Sequence, residues 1–214
     1  MTTSDPTPAG TTSRARRADA RRNEQALLDA AAAVFVTDGV DAPVRLIAAR
    51  AGVGIGTIYR HFPTRPALVV AVYRHQVEAL AEAGPVLLRE AGDAGQALRR
   101  WVAGFVDFLV TKHGLADALG ADAGEGANAL HEYFIDRLVP VCDALLEAAV
   151  GPAASGRVTG YMLMRGIGNL SIGGCDALRY DASRLAQLLV AGVLAEGGDQ
   201  GPACGEVSTA PGAR

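Results

Sequence analysis

Hydrophobic residues along this chain recur every three to four positions, which is the spacing of one face of an α-helix. Leu27, Ala31, Val34 and Phe35 follow this spacing near the N-terminus, and Gly39 marks the end of that helix. No run of alternating apolar and polar residues is long enough to predict a β-strand. The pattern therefore predicts an all-α fold.

The same periodicity predicts seven further helices, separated by glycine, proline and polar residues. They lie at about residues 43–50, 55–61, 66–84, 94–112, 127–149, 156–173 and 181–196. The fourth helix is expected to break near Gly84-Pro85, and the Gly- and Ala-rich segment 114–126 is expected to be mainly a loop. Composition predicts a disordered arm over residues 1–13 and a disordered tail over residues 197–214.

The chain has 214 residues, of which 50% are hydrophobic and 20% charged, so it can bury a core without disulfides or a metal. No stretch approaches the roughly 20 apolar residues of a membrane span, and the polar N-terminus does not resemble a secretory signal. Cys142, Cys175 and Cys204 are too widely separated for a disulfide framework or a zinc site. These features predict a cytoplasmic protein without a membrane, metal or cofactor partner.

Charge is divided unevenly along the chain. Residues 1–75 contain ten arginines and six acidic residues, a net charge of +4, whereas residues 76–214 contain ten basic and seventeen acidic residues, a net charge of −7. Such asymmetry indicates that the N-terminal part meets an anionic partner and that the remainder does not.

The segment at about residues 43–62 has the spacing of a helix-turn-helix unit. Ala48 is small enough to lie where two short helices touch, and Gly52 can adopt the positive φ that the turn needs. Ile47, Val53 and Ile58 are the apolar residues that would fill the angle between the helices. The second helix of such a unit presents its outer, N-terminal side to the DNA major groove. The residues expected on that side are Gly54, Ile55, Gly56, Thr57, Tyr59, Arg60 and His61.

The stretch from Arg21 to about Leu80 resembles the DNA-binding domain of TetR-type transcriptional regulators. The resemblance rests on the segments AAAVFVTDGVDAP, LIAARAGVGIGTIYRHF and PTRPALVVAVY. It implies an N-terminal three-helix helix-turn-helix DNA-binding domain over residues 14–65 and a C-terminal helical ligand-binding and dimerisation bundle over residues 66–196. It also implies a homodimeric repressor that binds a pseudopalindromic operator in double-stranded DNA and that a small-molecule effector releases.

By position, the resemblance implies phosphate contacts for Thr57, Tyr59 and His61, and Thr57 can also reach a base. Arg45, on the second helix, is a further expected phosphate contact. Arg65 stands where the family usually has lysine at the start of the fourth helix, and a cation there can hold a phosphate together with the helix amides.

The sequence departs from the family pattern in two places. Pro66 disfavours α geometry at Arg65, so the start of the fourth helix is expected to move by one residue. Gly54 and Ile55 replace what is often a serine and a longer polar residue. Ile55 can still pack on a thymine methyl.

Two alternative interpretations stay open: Tyr59 is a core aromatic residue, and His61 is an exposed side chain without a role in DNA binding. The five arginines between residues 14 and 22 are either a solvated helix start or an arm for the neighbouring minor groove.

Aromatic residues and methionines supply most of the large side chains of the predicted C-terminal domain, and by default they form a core: Trp101, Phe105, Phe108, Phe134, Tyr161, Met162 and Met164. The resemblance implies a ligand pocket among these helices, and aromatic and methionine side chains line such pockets well. Polar residues on otherwise apolar helices either orient a ligand or are satisfied core and surface groups. The candidate ligand-binding residues are Trp101, Phe105, Phe108, His131, Phe134, Met162, Arg165 and Asn169. The apolar stripe expected to pair two copies in a four-helix bundle is Leu185, Leu188, Leu189 and Val193.

An enzyme is not expected, and no catalytic residue is assigned. The sequence contains no HExxH, CxxC or GxSxG motif and no glycine-rich phosphate loop after a strand. Two alternatives compete with the regulator. One is a helical small-molecule-binding protein or enzyme whose first helices are only scaffold, and the other is an architectural DNA binder without a ligand.

Overall fold

The computed structural model describes residues 9–119, 124–152, 157–172 and 180–198, and the side chains of residues 18–115, 126–152, 157–172 and 180–197. All regular structure within these ranges is helical, which confirms the predicted all-α fold. The helices are α1 (Ala9–Asp38), α2 (Val44–Ala51), α3 (Ile55–His61), α4 (Arg65–Glu90), α5 (Ala94–Leu119), α6 (Gly124–Val150), α7 (Gly160–Leu170) and α8 (Ala182–Gly198). None of these helices combines the length and the apolar character that a membrane crossing requires.

The first three helices pack around the side chains that the sequence pattern places on their inner faces. Phe35 of α1 and Ile47 of α2 are 0% exposed, and Ile58 of α3 is 1% exposed. Ala48 is also buried, as expected of the small residue where α2 and α3 touch. Phe62, directly after α3, closes this core. Helix α3 is therefore held by one face and leaves the opposite face to solvent.

Helix α4 begins with a side-chain cap. The Thr64 hydroxyl accepts a hydrogen bond from the Ala67 N–H at 3.2 Å, which satisfies one of the free amides of the first turn. Pro66 lies in that turn, where its missing N–H removes no helical hydrogen bond. The helix therefore starts at Arg65 despite the proline that follows.

Helix α4 continues to Glu90, so the predicted break at Gly84-Pro85 is wrong. Gly84 is buried, and a Cβ there would lie 2.2 Å from Cγ1 of Val141. The missing side chain thus lets α4 approach α6 closely. We infer that packing along this face outweighs the cost of Pro85 inside the helix, since tertiary contacts commonly override local propensity.

Helices α4, α5 and α6 share an aromatic core. The Trp101 indole N–H donates to the Leu80 carbonyl at 2.9 Å, and the Tyr73 hydroxyl donates to the Leu130 carbonyl at 3.0 Å. Burial raises the pKa of Tyr73, so its hydroxyl remains a donor. Both aromatic side chains are therefore buried with the indole N–H and the hydroxyl hydrogen-bonded.

Several helix ends differ from the prediction. Helix α1 already begins at Ala9, so residues 9–13 of the predicted arm are helical. Helix α5 runs to Leu119 instead of ending near residue 112, which makes the first part of the expected loop helical. Helix α8 extends to Gly198. Residues 1–8 and 199–214, which hold the rest of the predicted arm and tail, lie outside the described residues.

Candidate functional site

The turn between α2 and α3 has the conformation that the sequence predicts. Gly52 adopts φ +66° and ψ +28°, the left-handed region that favours glycine. The Val53 N–H donates to the Ala48 carbonyl at 3.0 Å, and the Gly52 N–H donates to the Ala49 carbonyl at 3.3 Å. This pair of bonds is the Schellman motif of a helix C-terminus. It fixes the direction in which the chain leaves α2 and enters α3.

Helix α3 turns an outer edge to solvent. Ile55 is 46% exposed and Tyr59 is 51% exposed, whereas Ile58 on the inner face is buried. A tyrosine so exposed is not part of the core, so the alternative interpretation of Tyr59 as a core aromatic is wrong. The other residues expected on this edge are exposed or half-buried: Gly54, Gly56, Thr57, Arg60 and His61.

The two arginines expected to contact phosphates have different surroundings. Arg45 is exposed on α2. The Arg65 guanidinium donates to the Val40 carbonyl and lies over the Phe35 ring, with Cζ 5.3 Å from the ring centroid. Partial burial lowers the pKa of Arg65, and the nearby Asp41 acts in the opposite direction. Arg65 thus joins α4 to α1, while its remaining N–H groups can still reach a phosphate.

The arginine cluster near the N-terminus is only partly described. Arg21 and Arg22 are exposed, and Arg22 pairs with Asp19 one turn earlier on α1. The side chains of Arg14, Arg16 and Arg17 lie outside the described residues. The solvated helix start and the minor-groove arm therefore both remain predictions.

A cleft of about 230 Å³ opens between α5, α6 and α7. Its lining combines apolar and aromatic side chains with polar ones, as small-molecule sites commonly do. The lining residues are Lys112, His113, His131, Phe134, Ile135, Tyr161, Met164, Arg165, Gly168, Asn169 and Ile172. Phe134 connects this cleft to the aromatic core, because its ring lies 6.1 Å from Phe105 and 5.7 Å from Phe108.

Two charged side chains line the cleft, Lys112 and Arg165, and both are cations. The Lys112 Nζ lies 5.4 Å from the centroid of the Phe134 ring, and an Arg165 guanidinium N–H donates to the Tyr161 hydroxyl at 3.4 Å. Burial, followed by the charge of Arg165, lowers the pKa of Lys112. This shift of the Lys112 pKa indicates a positive potential in a partly desolvated site.

The two histidines of the cleft respond to the same potential. Burial and then Lys112 lower the pKa of His113. Burial, Lys112 and Arg165 lower the pKa of His131, and Glu132 opposes them. Both imidazoles are therefore neutral near pH 7, and each offers one donor and one acceptor to a bound molecule.

The cleft includes half of the candidate ligand-binding residues: His131, Phe134, Arg165 and Asn169. Trp101, Phe105 and Phe108 are at most 1% exposed and form the core instead. Met162 lies on a different surface, beside Leu189 of α8. Tyr161 and Met164 also line the cleft, as two of the large side chains that the sequence offers for a pocket. Sequence reasoning assigned no role to Lys112, at the expected end of α5, or to His113, just beyond that end. The available signal was that Lys112 is the single lysine of the chain and lies on an apolar helix.

An apolar surface is exposed along α7 and α8. Met162 and Leu188 are each 56% exposed and Leu189 is 37% exposed. Gly166 and Gly192 contribute to the same surface. The other two residues of the predicted stripe, Leu185 and Val193, are half-buried.

Among the residues with described side chains, neither the cysteine nor the side chains that can bind metals form a second functional site. Burial, followed by the charge of Asp143, raises the pKa of Cys142 to about 12, so its thiol is a small buried hydrophobe. Cys175 and Cys204 lie outside the described residues. Across residues with described side chains, no group of three or more His, Cys, Asp or Glu could hold a metal ion.

Comparison with known sequences identifies the helix-turn-helix region. A family profile described as "Bacterial regulatory proteins, tetR family" matches residues 27–72. The HTH-type transcriptional activator FasR of Mycolicibacterium smegmatis is 37% identical to this chain over 103 residues. That match covers 48% of this chain and 47% of the relative, so the similarity extends over about half the length of the curated relative.

Two solved structures extend the similarity well beyond the helix-turn-helix. A TetR transcriptional regulator of Streptomyces coelicolor is 33% identical, with coverage of 80% of this chain and 97% of that one and a TM-score of 0.62. A TetR transcription regulatory protein of Mycobacterium vanbaalenii is 32% identical, with coverage of 82% and 97% and a TM-score of 0.54. Both therefore correspond to this chain over nearly their whole length.

Proposed function

This chain belongs to the TetR family of transcriptional regulators, and on that premise we propose that it binds a pseudopalindromic operator as a homodimer and is released by a small molecule. The observation that carries the proposal is the outer edge of α3, which is open to solvent while the inner face is locked in the core. A helix that reads DNA needs both properties, because it must keep its shape while its side chains enter the major groove.

The residues proposed to contact DNA, on the outer edge of α3 and on the neighbouring helices, divide into two roles. Arg45, Thr57, Tyr59 and His61 contact phosphates and so position the protein on the duplex, together with Arg60 and Arg65. Ile55 packs on a thymine methyl and contributes to base preference. No atom lies within 4 Å of a Cβ built on Gly54 or on Gly56, so the DNA backbone can approach the start of α3 closely.

The exposed apolar surface of α7 and α8 supports the homodimer. Two large side chains, Met162 and Leu188, are more than half exposed in the single chain, and contiguous patches of this kind mark association sites. Two copies that meet through α7 and α8 would bury this surface in a four-helix bundle. Tethering two DNA-binding units raises their effective concentration and makes half-site spacing a condition for tight binding.

Release by a ligand requires contact between the cleft and the DNA-binding unit. Lys112 and His113 line the cleft, and the next residue, Gly114, packs against Val40 in the connection between α1 and α2. The Val40 carbonyl in turn accepts a hydrogen bond from Arg65 at the start of α4. A ligand shifts the DNA-binding equilibrium only by its difference in affinity for the two arrangements, typically about 1–3 kcal/mol.

The proposed direction of regulation is repression, and the proposed location is the cytoplasm. The Mycolicibacterium smegmatis relative carries the name of an activator, so the direction needs its own test. A reporter fused to the bound promoter provides it, because loss of the protein raises expression under repression and lowers expression under activation.

Selection of binding sites from a random duplex library, followed by fluorescence anisotropy, tests the DNA-binding proposal. We expect a two-fold symmetric site that binds two chains. Arg45→Ala should weaken binding to all sequences and reduce the salt slope by about one unit per half-site, whereas Ile55→Ala should change the selected bases. Arg89→Ala, at an exposed arginine near the end of α4, is the matched control and should change neither.

Three outcomes of this experiment would contradict the proposal. Failure to enrich any duplex would favour the alternative in which the first helices are only scaffold for a small-molecule-binding protein or enzyme. Binding without sequence preference and without a response to any metabolite would favour an architectural DNA binder. An unchanged selected sequence for Ile55→Ala would remove this residue from base recognition.

A further inference from the structure

We propose that the cleft between α5, α6 and α7 binds a small organic anion, whose acidic head lies between Lys112 and Arg165 and whose body is apolar. This inference deepens the proposed function by naming the chemical class of the effector. It rests on the proposed function only for the effect of that ligand on DNA binding.

The distribution of charge is the first observation in its favour. Residues 76–214 carry a net charge of −7, yet the cleft is lined by two cations and by no aspartate or glutamate. The ion pairs among the described residues are Asp19–Arg22, Asp29–His75 and Glu78–Arg137. Acidic residues are thus abundant in this part of the chain, and none of those described forms an ion pair with Lys112 or Arg165.

The second observation is the way in which the two cations are held. Lys112 is half-buried with its ammonium over the Phe134 ring, whereas Arg165 is exposed and bonded to the Tyr161 hydroxyl. Desolvating the Lys112 ammonium costs free energy unless an opposite charge approaches it. The lowered pKa values of Lys112, His113 and His131 report this cost. A bound anion would offset it and would receive charge-assisted hydrogen bonds.

The third observation is the remainder of the lining, which fits an apolar body. Ile135, Met164 and Ile172 supply aliphatic and thioether surface, and Phe134 supplies an aromatic ring. Asn169 lies one helical turn after Arg165, so its amide can hydrogen-bond the same ligand. A volume of about 230 Å³ suits a compact molecule of one or two rings or a short chain.

A matched set of probes with one naphthalene body separates charge from shape. The probes are 2-naphthoate, 2-naphthyl phosphate, the neutral 2-naphthamide and the cationic 2-naphthylmethylamine, with octanoate and octanamide as a second body. Calorimetric titration of the full chain without DNA measures each affinity. We expect at least one anion to bind about tenfold or more tightly than its neutral and cationic counterparts, since hydrogen bonds to charged groups are the stronger ones.

Variants assign this preference to the two cations. Lys112→Met and Arg165→Met should each reduce the preference for the anion about tenfold or more, and Lys112→Arg should retain most of it. Arg89→Met removes an exposed arginine outside the cleft and should leave the preference unchanged. Because Met replaces Lys112 with a side chain of similar length and no charge to desolvate, this variant should unfold at the same or a higher temperature.

The results that overturn the inference differ from those that overturn the proposed function. Equal affinity for naphthoate and naphthamide, tighter binding of the amine, or no saturable binding of any anion at millimolar concentration would overturn the anion site. A preference that survives in Lys112→Met/Arg165→Met would also overturn it. If an anion binds through both cations but leaves operator affinity unchanged, the anion site stands and ligand-controlled release fails.

Discussion

Gly114 of α5 lies against Val40, in the connection from α1 to α2. A Cβ on Gly114 would lie 2.3 Å from Cγ2, 2.6 Å from Cγ1 and 2.9 Å from Cβ of Val40. Valine is branched at Cβ, so rotation about χ1 exchanges its methyl groups without clearing the space. Gly114→Ala must therefore displace the backbone at Val40, and with it the carbonyl that Arg65 contacts.

The expected loss of stability follows from two opposing contributions. Alanine in place of a helical glycine gains about 1 kcal/mol of helix propensity. Overpacking a close contact costs about 1–3 kcal/mol. The free energy of unfolding should therefore fall by up to about 2 kcal/mol, and operator affinity should fall because Arg65 loses its position. Urea unfolding and fluorescence anisotropy measure the two effects.

Two companion variants isolate the contact. Gly126→Ala, at a helical glycine with no atom within 4 Å of the added Cβ, should be neutral or stabilising. Val40→Ala removes both γ-methyl groups and should make Gly114→Ala less costly, with a coupling energy of at least about 0.5 kcal/mol in the double-mutant cycle. If Gly114→Ala stabilises the protein as Gly126→Ala does, and operator affinity is unchanged, the contact has no role in either property.

Four further predictions each concern one or two residues. Gly52→Ala should lower the free energy of unfolding by about 1–2 kcal/mol in a urea titration, because φ +66° is unfavourable for a residue with a Cβ; an unchanged midpoint would contradict this. Thr111→Val should leave that free energy equal or higher, since the buried Thr111 hydroxyl has no hydrogen-bond partner among the described residues; a marked loss would reveal one. Stability should fall as pH decreases below 6.5, the ordinary histidine pKa, because the lowered pKa values of His113 and His131 make the unfolded state bind more protons. The His113→Gln/His131→Gln variant should flatten this dependence between pH 7.5 and 5.5, and an identical slope would assign it to other groups. Arg65→Ala should reduce both stability and the salt slope of DNA binding, whereas Arg65→Lys should restore the slope more than the stability if the Phe35 contact depends on the guanidinium plane.

The helix-turn-helix could be predicted from sequence because local chemistry determines it. A small residue at Ala48 and a glycine four positions later specify how α2 and α3 cross and where the chain turns between them. Ile58 then lies in the core and Tyr59 on the solvent side. The continuity of α4 could not be predicted in this way. Pro85 is a local signal for a break, but the contact of Gly84 with Val141 joins segments that are far apart in the sequence.

The cleft was predicted only in part for a related reason. Periodicity identifies apolar helices but does not tell which neighbour each face meets. Met162 and Met164 are two residues apart and so lie on opposite sides of α7. Met164 lines the cleft and Met162 lies on the exposed apolar surface. The aromatic residues of α5 were similarly ambiguous, because core and pocket require the same side chains.

The unbroken course of α4 has a geometric consequence for the regulated dimer. Its 26 residues run without interruption past the contact of Gly84 with α6. The segment from Arg65, just after α3, to Gly84 spans about 30 Å at 1.5 Å per residue. A tilt of about 6.5° about Gly84 displaces the start of this segment by about 3.4 Å, which is the rise of one base pair. A rotation of a few degrees at α6 can therefore move α3 by about one base-pair step.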